Sequence, residues 1–214
     1  MMTEILIEAT IETFYMVFFG GLFAILVGTP IGIVLYLTQK GGLSENIPGY
    51  RILDVLVNVC RSIPYVILMI LLIPVTRAVI GTSIGSTAMI FSLAASAAPF
   101  FARLVETSLN EVDAGIVEAA KAMGSTNAQI IWKVLLPEAL PSLIQAITTT
   151  LINLIGYTAM AGALGGGGLG AVAQRYGYYR RQEDLLWGAV IVIIVIVQLI
   201  QLVGTSAARS INKK

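Results

Sequence analysis

Three stretches of the chain carry no charge at all, Thr13 to Leu37, Ala78 to Ala102 and Ala139 to Gln174, and a fourth, Leu185 to Ala208, follows near the carboxyl end. A fifth stretch, Val55 to Thr76, is apolar except for Asn58 and Arg61 and contains Pro64. A membrane-crossing helix needs about 20 mainly apolar residues to traverse ~30 Å of hydrocarbon. At ~1.5 Å per residue, Thr13 to Leu37 reaches about 37 Å, enough to cross with tilt. The run from Ala139 is longer than one crossing and is broken by Gly165-Gly166-Gly167-Gly168, so its span is placed at Pro141 to Ala163. The pattern therefore predicts an all-α membrane protein, one domain over residues 1–214, with spans at 13–37, 55–76, 78–102, 141–163 and 185–208.

Between the third and fourth spans lies a more polar segment, residues 111–138. Asp113 suits the amino-terminal cap of a short helix, Ala119, Ala120 and Ala122 favour its interior, and Gly124 suits a left-handed closing position. Ser125 or Thr126 can cap a second helix whose apolar stripe is Ile130, Ile131, Val134 and Leu135, with Pro137 expected to interrupt it. Two helices joined at a glycine make a compact knob. The small side chains of Ala119 and Ala120 would let another protein approach closely, with Glu118 at the edge.

Composition narrows the class further. With 57% hydrophobic and 12% charged residues, lipid is the natural solvent for this chain. A net charge of +1 with dispersed Lys and Arg gives no reason to expect a nucleic-acid partner. The sequence contains no histidine, which excludes Ser-His and Cys-His nucleophilic systems and His-based metal sites. Cys60 stands alone in an apolar run and reads as a packed hydrophobe. The amino end lacks a basic region before its long apolar run and is expected to be retained. Nine Lys and Arg (Lys40, Arg51, Arg61, Arg103, Lys121, Lys133, Arg209, Lys213 and Lys214) fall on the side of the 111–138 loop. Four (Arg77, Arg175, Arg180 and Arg181) fall on the other. That bias places the loop and the carboxyl end in the cytoplasm and the amino end outside.

The spacing Glu118-Ala119-Ala120, three residues, Gly124, nine residues, then Val134, Leu135, Leu136 and Pro137 resembles the cytoplasmic loop of permease subunits in ATP-binding-cassette importers. The segments Arg61-Ser62-Ile63-Pro64, Gly81-Thr82-Ser83-Ile84-Gly85, Ala97-Ala98-Pro99-Phe100, Lys133 to Pro141 and Gly156-Tyr157-Thr158-Ala159-Met160 are similar to the methionine-importer subfamily over nearly the whole chain. Val134 replaces a usual Ile, and Asp113 a frequent Pro. Neither change threatens docking, since Val stays aliphatic and Asp can cap. The resemblance implies the type I importer permease fold, with a coupling-helix hairpin between the third and fourth helices. It also implies a homodimer in the bacterial cytoplasmic membrane, two separate ATPase subunits binding ATP and Mg, and an extracytoplasmic methionine-binding protein. Glu118, Ala119, Ala120, Gly124, Val134, Leu136 and Pro137 are then the coupling residues. Tyr157 and Met160 lie near the gate, where a flexible, polarisable Met can close a narrow passage. A permease for a polar amino acid or glycine betaine, or an ATPase-independent carrier, is the alternative.

Other motifs carry less. Gly165, Gly167 and Gly170 match a dinucleotide fingerprint but follow a membrane helix, so a re-entrant or external loop is expected. No Gly-Lys-Ser or Gly-Lys-Thr ends a glycine-rich loop, so ATP hydrolysis and any cofactor are expected on partner chains. Glu111 with Asp113, and Glu183 with Asp184, read as solvated pairs near membrane ends. The expected spans contain no carboxylate, which weighs against an ion-coupled carrier. Arg61 is expected near the inner surface or facing a wet cavity, and Pro64 is expected to kink the second span. Gly28 with Gly32, and Ala94 with Ala98, offer small-residue packing faces.

Overall fold

In a computed structural model, residues 2–211 are described, and Lys213 and Lys214 lie outside them. Helix α1 (Met2–Thr38) begins well before the expected first span, because Glu4, Glu8 and Glu12 continue the same helix. Its length, about 55 Å, exceeds the hydrocarbon core. Gly20, Gly28 and Gly32 make up a buried ridge against α4 (Ser86–Asn110), while the buried Gly21 beside them faces Leu151 and Leu154. A Cβ on Gly28 would sit 2.7 Å from the Ala98 carbonyl oxygen, and one on Gly32 would sit 2.6 Å from Val105 Cβ. Close backbone approach of this kind is how membrane helices gain dispersion energy without a hydrophobic drive. The partner surface is Ala98 and Ala102, one turn further along α4 than the expected Ala94–Ala98 pair.

The expected second span is two helices. α2 (Ile47–Ser62) and α3 (Tyr65–Ile80) meet at 104°. The cause is local: the residue before a proline is driven from the helical region, and Ile63 is extended at φ −81°, ψ 120°. α2 is capped by Asn46, whose side chain accepts from the Gly49 N–H at 3.1 Å. α4 starts at Ser86 rather than at Ala78, because Ala78 to Ile80 finish α3 and the chain turns through Gly81 and Gly85, both at positive φ. It ends at Asn110, eight residues beyond the expected boundary at Ala102.

After the 111–138 segment come α8 (Leu140–Ala161) and α10 (Glu183–Ile211), close to the expected fourth and fifth spans. Among the described residues, four helices are long and apolar enough to cross a membrane, and the bent α2–α3 pair makes up to five. The glycine run does not extend α8. It reverses at Gly165, Gly167 and Gly168, all at positive φ, and folds back as α9 (Gly168–Val172) followed by a π-helical turn, Ala173–Tyr179. The turn is clamped to the start of α1: the Gly168 N–H donates to the Glu12 carboxylate at 2.6 Å and the Leu169 N–H to Thr13 Oγ1 at 3.0 Å. Two cores result, one around Met16, Leu93, Leu154 and Ala189, the other around Phe101, Val105, Leu109, Ile130 and Leu135.

Candidate functional site

The 111–138 segment folds as two helical pieces. α5 (Ala114–Ala122) starts where the Asp113 carboxylate accepts from the Gly115 N–H at 2.7 Å. Gly124, at φ +78°, makes the corner. Of the two expected caps, Thr126 is the one used. Its hydroxyl accepts from the Gln129 N–H at 3.3 Å, and the Gln129 side chain accepts from the Thr126 N–H at 2.8 Å. α6 (Asn127–Ile130) runs into a π-helical turn, Ile131–Leu135, and then α7 (Leu136–Glu138). Pro137 therefore does not stop this helix as expected. It sits in the first turn of α7, where a missing N–H costs little, and the break falls at Ala139 (φ −76°, ψ −5°).

Glu118, Ala119, Gly124 and Pro137 are exposed on the hairpin, while Val134 and Leu136 are half-buried beneath it. Ala120 corrects the sequence reading. It is 3% exposed and packs in the core around Phe101 and Leu109 with Val117, Ile130 and Leu135, so it cannot receive a partner's groove. Two residues that the sequence reading passed over stand out instead. Met123 is 79% and Trp132 70% exposed. Large apolar side chains exposed on a polar segment are a common feature of protein-binding surfaces. Trp132 was legible in principle, because it falls off the stripe of Ile130, Ile131, Val134 and Leu135. The hairpin is tied back to the α1–α2 connection by Asn127 Nδ2, which donates to the Leu43 carbonyl at 3.1 Å and to Ser44 Oγ at 3.0 Å.

Tyr157 and Met160 lie on neighbouring sides of α8. The Tyr157 ring stacks on Tyr65 of α3, centroids 4.7 Å apart and planes at 9°. The Tyr65 hydroxyl lies 3.3 Å from Ser92 Oγ on α4, so three helices meet at this ring pair. Met160 is 47% exposed.

A polar cluster joins α2 to α4. Arg103 pairs with Asp54 and, at 2.5 Å, with Glu106, and donates to Asn58 Oδ1 at 3.2 Å. Tyr50 donates its hydroxyl to Glu106 Oε1 at 3.1 Å, and Glu106 is 4% exposed. The helices that hold the expected spans carry carboxylates beyond those bounds: Asp54 lies just before the expected second span, and α4 runs past Ala102 to include Glu106. Both are paired with Arg103, whose hydrogen bonds offset the cost of burial. Nearby, the Arg61 guanidinium carbon lies 5.9 Å from the centre of the Phe100 ring. Among the described residues, no group of three or more His, Cys, Asp or Glu is arranged to hold a metal ion.

Residues 28–214 match the family model described as the binding-protein-dependent transport system inner membrane component. The chain belongs to this family. It is 47% identical to the probable D-methionine transport system permease protein MetI of Vibrio cholerae, over 99% of this chain and 94% of that one. It is 46% identical to the methionine import system permease protein MetP of Bacillus subtilis, over 97% and 93%. This inner membrane component also superimposes on a chain of the MetNI methionine ABC transporter, solved in inward facing conformations, with a TM-score of 0.98, 44% identity and coverage of 99% and 98%. An amino acid ABC transporter structure with histidines shares the fold at TM-score 0.73 and 22% identity, over 97% and 92%. The hairpin, the bent α2–α3 pair and the α1–α4 ridge thus belong to a transport-family fold.

Proposed function

We propose that this chain is the permease subunit of an ATP-driven methionine importer, acting as a homodimer with two ATPase subunits that bind ATP and Mg on the cytoplasmic side and a methionine-binding protein on the other. The reading is carried by the near-complete likeness to the inward-facing methionine transporter, joined to a hairpin that presents Glu118, Ala119, Met123 and Trp132 outward. The basic-residue bias supports an outside amino end and a cytoplasmic carboxyl end in the bacterial cytoplasmic membrane.

Mechanically, the hairpin is a lever rooted in the inner core. Ala120, Val134 and Leu136 pack with Phe101, Val105 and Leu109 of α4 and Ala146 of α8. A partner that grips the exposed face and moves on binding ATP would carry the inner halves of α4 and α8 with it. Gly124 shapes the corner, and Pro137, with the π-helical turn before it, sets the exit angle toward α8. Turning a 1:99 mixture of conformations into 99:1 requires about 5.5 kcal/mol of differential binding, which a gripping surface with aromatic anchors can supply. Tyr157 and Met160 are the gate residues in this reading, Tyr157 fixed to α3 by stacking and Met160 projecting into the passage.

Uptake of labelled methionine by vesicles is the test. Transport is expected only with ATP and both partner subunits, and competition by unlabelled L- and D-methionine ranks the enantiomers. ATP-independent uptake would overturn the reading in favour of a self-sufficient carrier.

A further inference from the structure

α2 has an apolar face that the rest of the chain leaves uncovered. Ile52, Val55, Leu56 and Val59 recur at intervals of three or four residues and so form one stripe, and each is between 55% and 65% exposed. Val57, on another side of the helix, is buried. Cys60 is exposed beside the stripe, not packed as its apolar neighbours suggested. Arg51 and Arg61 are exposed as well, while Asp54, the carboxylate within α2, is held by Arg103 of α4. Lys40 and Glu45, in the connection before the helix, offset one another. The charge that α2 presents to its surroundings is therefore basic.

The helix lies at the hairpin end of the molecule and runs obliquely there. The connection leading into it is bonded to the hairpin through Asn127. Tyr50 reaches Glu106 of α4, and Arg61 lies over the Phe100 ring of α4, so about 16 Å of α2 advances only about 9 Å along α4. α3 then turns away at 104°. At about 24 Å, α2 is too short to cross ~30 Å of hydrocarbon unaided, and leaving four aliphatic side chains in water is unfavourable. An aliphatic stripe on a helix that also exposes basic residues suits the boundary between headgroups and acyl chains. Arginines placed there attract anionic headgroups.

We propose that α2 is an interfacial helix on the hairpin side of the membrane, with Ile52, Val55, Leu56 and Val59 seated among acyl chains and Arg51 and Arg61 holding the headgroups of anionic phospholipids. Through Asp54 and Arg103 the same helix is fixed to α4, against which the hairpin packs. The lipid surface thereby restrains the element that any movement of the hairpin must carry. A second copy of the chain is the competing occupant of the stripe, and it would exclude both water and lipid from it.

Quenching of a fluorescent label separates these occupants. In a Cys60→Ser parent, Leu56→Cys on the stripe and Ala119→Cys on the exposed hairpin surface each carry a bimane label, with the full-length permease in phosphatidylcholine bilayers. Iodide quenches from water, and a nitroxide on the acyl chain near the headgroup quenches from lipid. Leu56→Cys is expected to lose its fluorescence to the nitroxide lipid and to resist iodide, with the reverse at Ala119→Cys. Iodide quenching at Leu56→Cys as strong as at Ala119→Cys overturns the proposal, and so does protection from both quenchers. Nitroxide-labelled phosphatidylglycerol is expected to quench Leu56→Cys about five-fold more effectively than the phosphatidylcholine analogue at equal mole fraction, the order that one basic residue near a charged surface supplies. Arg51→Gln with Arg61→Gln should abolish that preference, and Arg51→Lys with Arg61→Lys should keep it. Equal quenching by the two lipids in the parent, or a preference that survives the paired glutamines, overturns the anionic site. The test reads no transport, so its outcome is independent of the importer reading.

Discussion

Ala119 and Ala120 are adjacent, equally small and opposite in role. Ala119 lies on the exposed surface of the hairpin and Ala120 in the buried core with Ile130 and Leu135. Enlarging a buried residue in a filled core typically costs about 1–3 kcal/mol. Ala120→Leu is therefore expected to lower the thermal midpoint of the purified permease in detergent. Ala119→Leu should leave that midpoint unchanged and instead weaken co-purification of the ATPase. Equal effects of the two variants on both measurements would contradict the assigned orientations. Helix propensity made both alanines legible as helix formers but could not say which way either faces. That depends on the rotation of α5, which Val117 and Ala120 set by packing with Ile130 and Leu135 of the second half of the hairpin. The caps, by contrast, were readable, because Asp113 with Gly115 and Thr126 with Gln129 close rings of only a few residues.

At the scale of elements, α2 and α4 are joined by charges that sequence spacing conceals, since Asp54 and Arg103 are 49 residues apart. Removing one partner of a buried pair leaves the other charge uncompensated, a loss of about 3 kcal/mol, whereas replacing both with packing residues is far less costly. Arg103→Met is expected to destabilise the permease strongly. The triple change Asp54→Leu, Arg103→Met and Glu106→Leu should recover most of that loss, as read by thermal unfolding monitored through aggregation in detergent. No recovery would show that the cluster contributes more than charge compensation. The same paired charges explain the misplaced end of the third span: a charge normally closes an apolar run, but here α4 continues through Arg103 and Glu106 because α2 supplies partners. The sharp α2–α3 bend was readable as a kink at Pro64. Its angle was not, because Ile63 and Pro64 dictate only a local extended conformation, and packing of α3 on α4 and α8 sets the direction.

Across the whole molecule, the distribution of Lys and Arg gives one orientation with checkable ends. A reporter active only outside the cytoplasm is expected to be active when fused in the loop after Gly81 and inactive when fused after Gly124 or after Ile211. Activity at Gly124 would invert the arrangement and remove the hairpin from any cytoplasmic ATPase.

The amino-acid sequence by itself determined the solvent of this chain, the rough position of its crossings, the capped hairpin and its glycine corner, since each follows from composition or from groups a few residues apart. Only the tertiary structure decided which face of each membrane helix meets protein, that Ala120 is internal, and that Asp54, Arg103 and Glu106 meet. The reason is the bilayer. Lipid tails are as apolar as a protein core, so hydrophobicity that marks the buried face of a helix in water loses that meaning here. Helix rotation is settled instead by backbone approach at Gly28 and Gly32, by paired charges and by stacked rings.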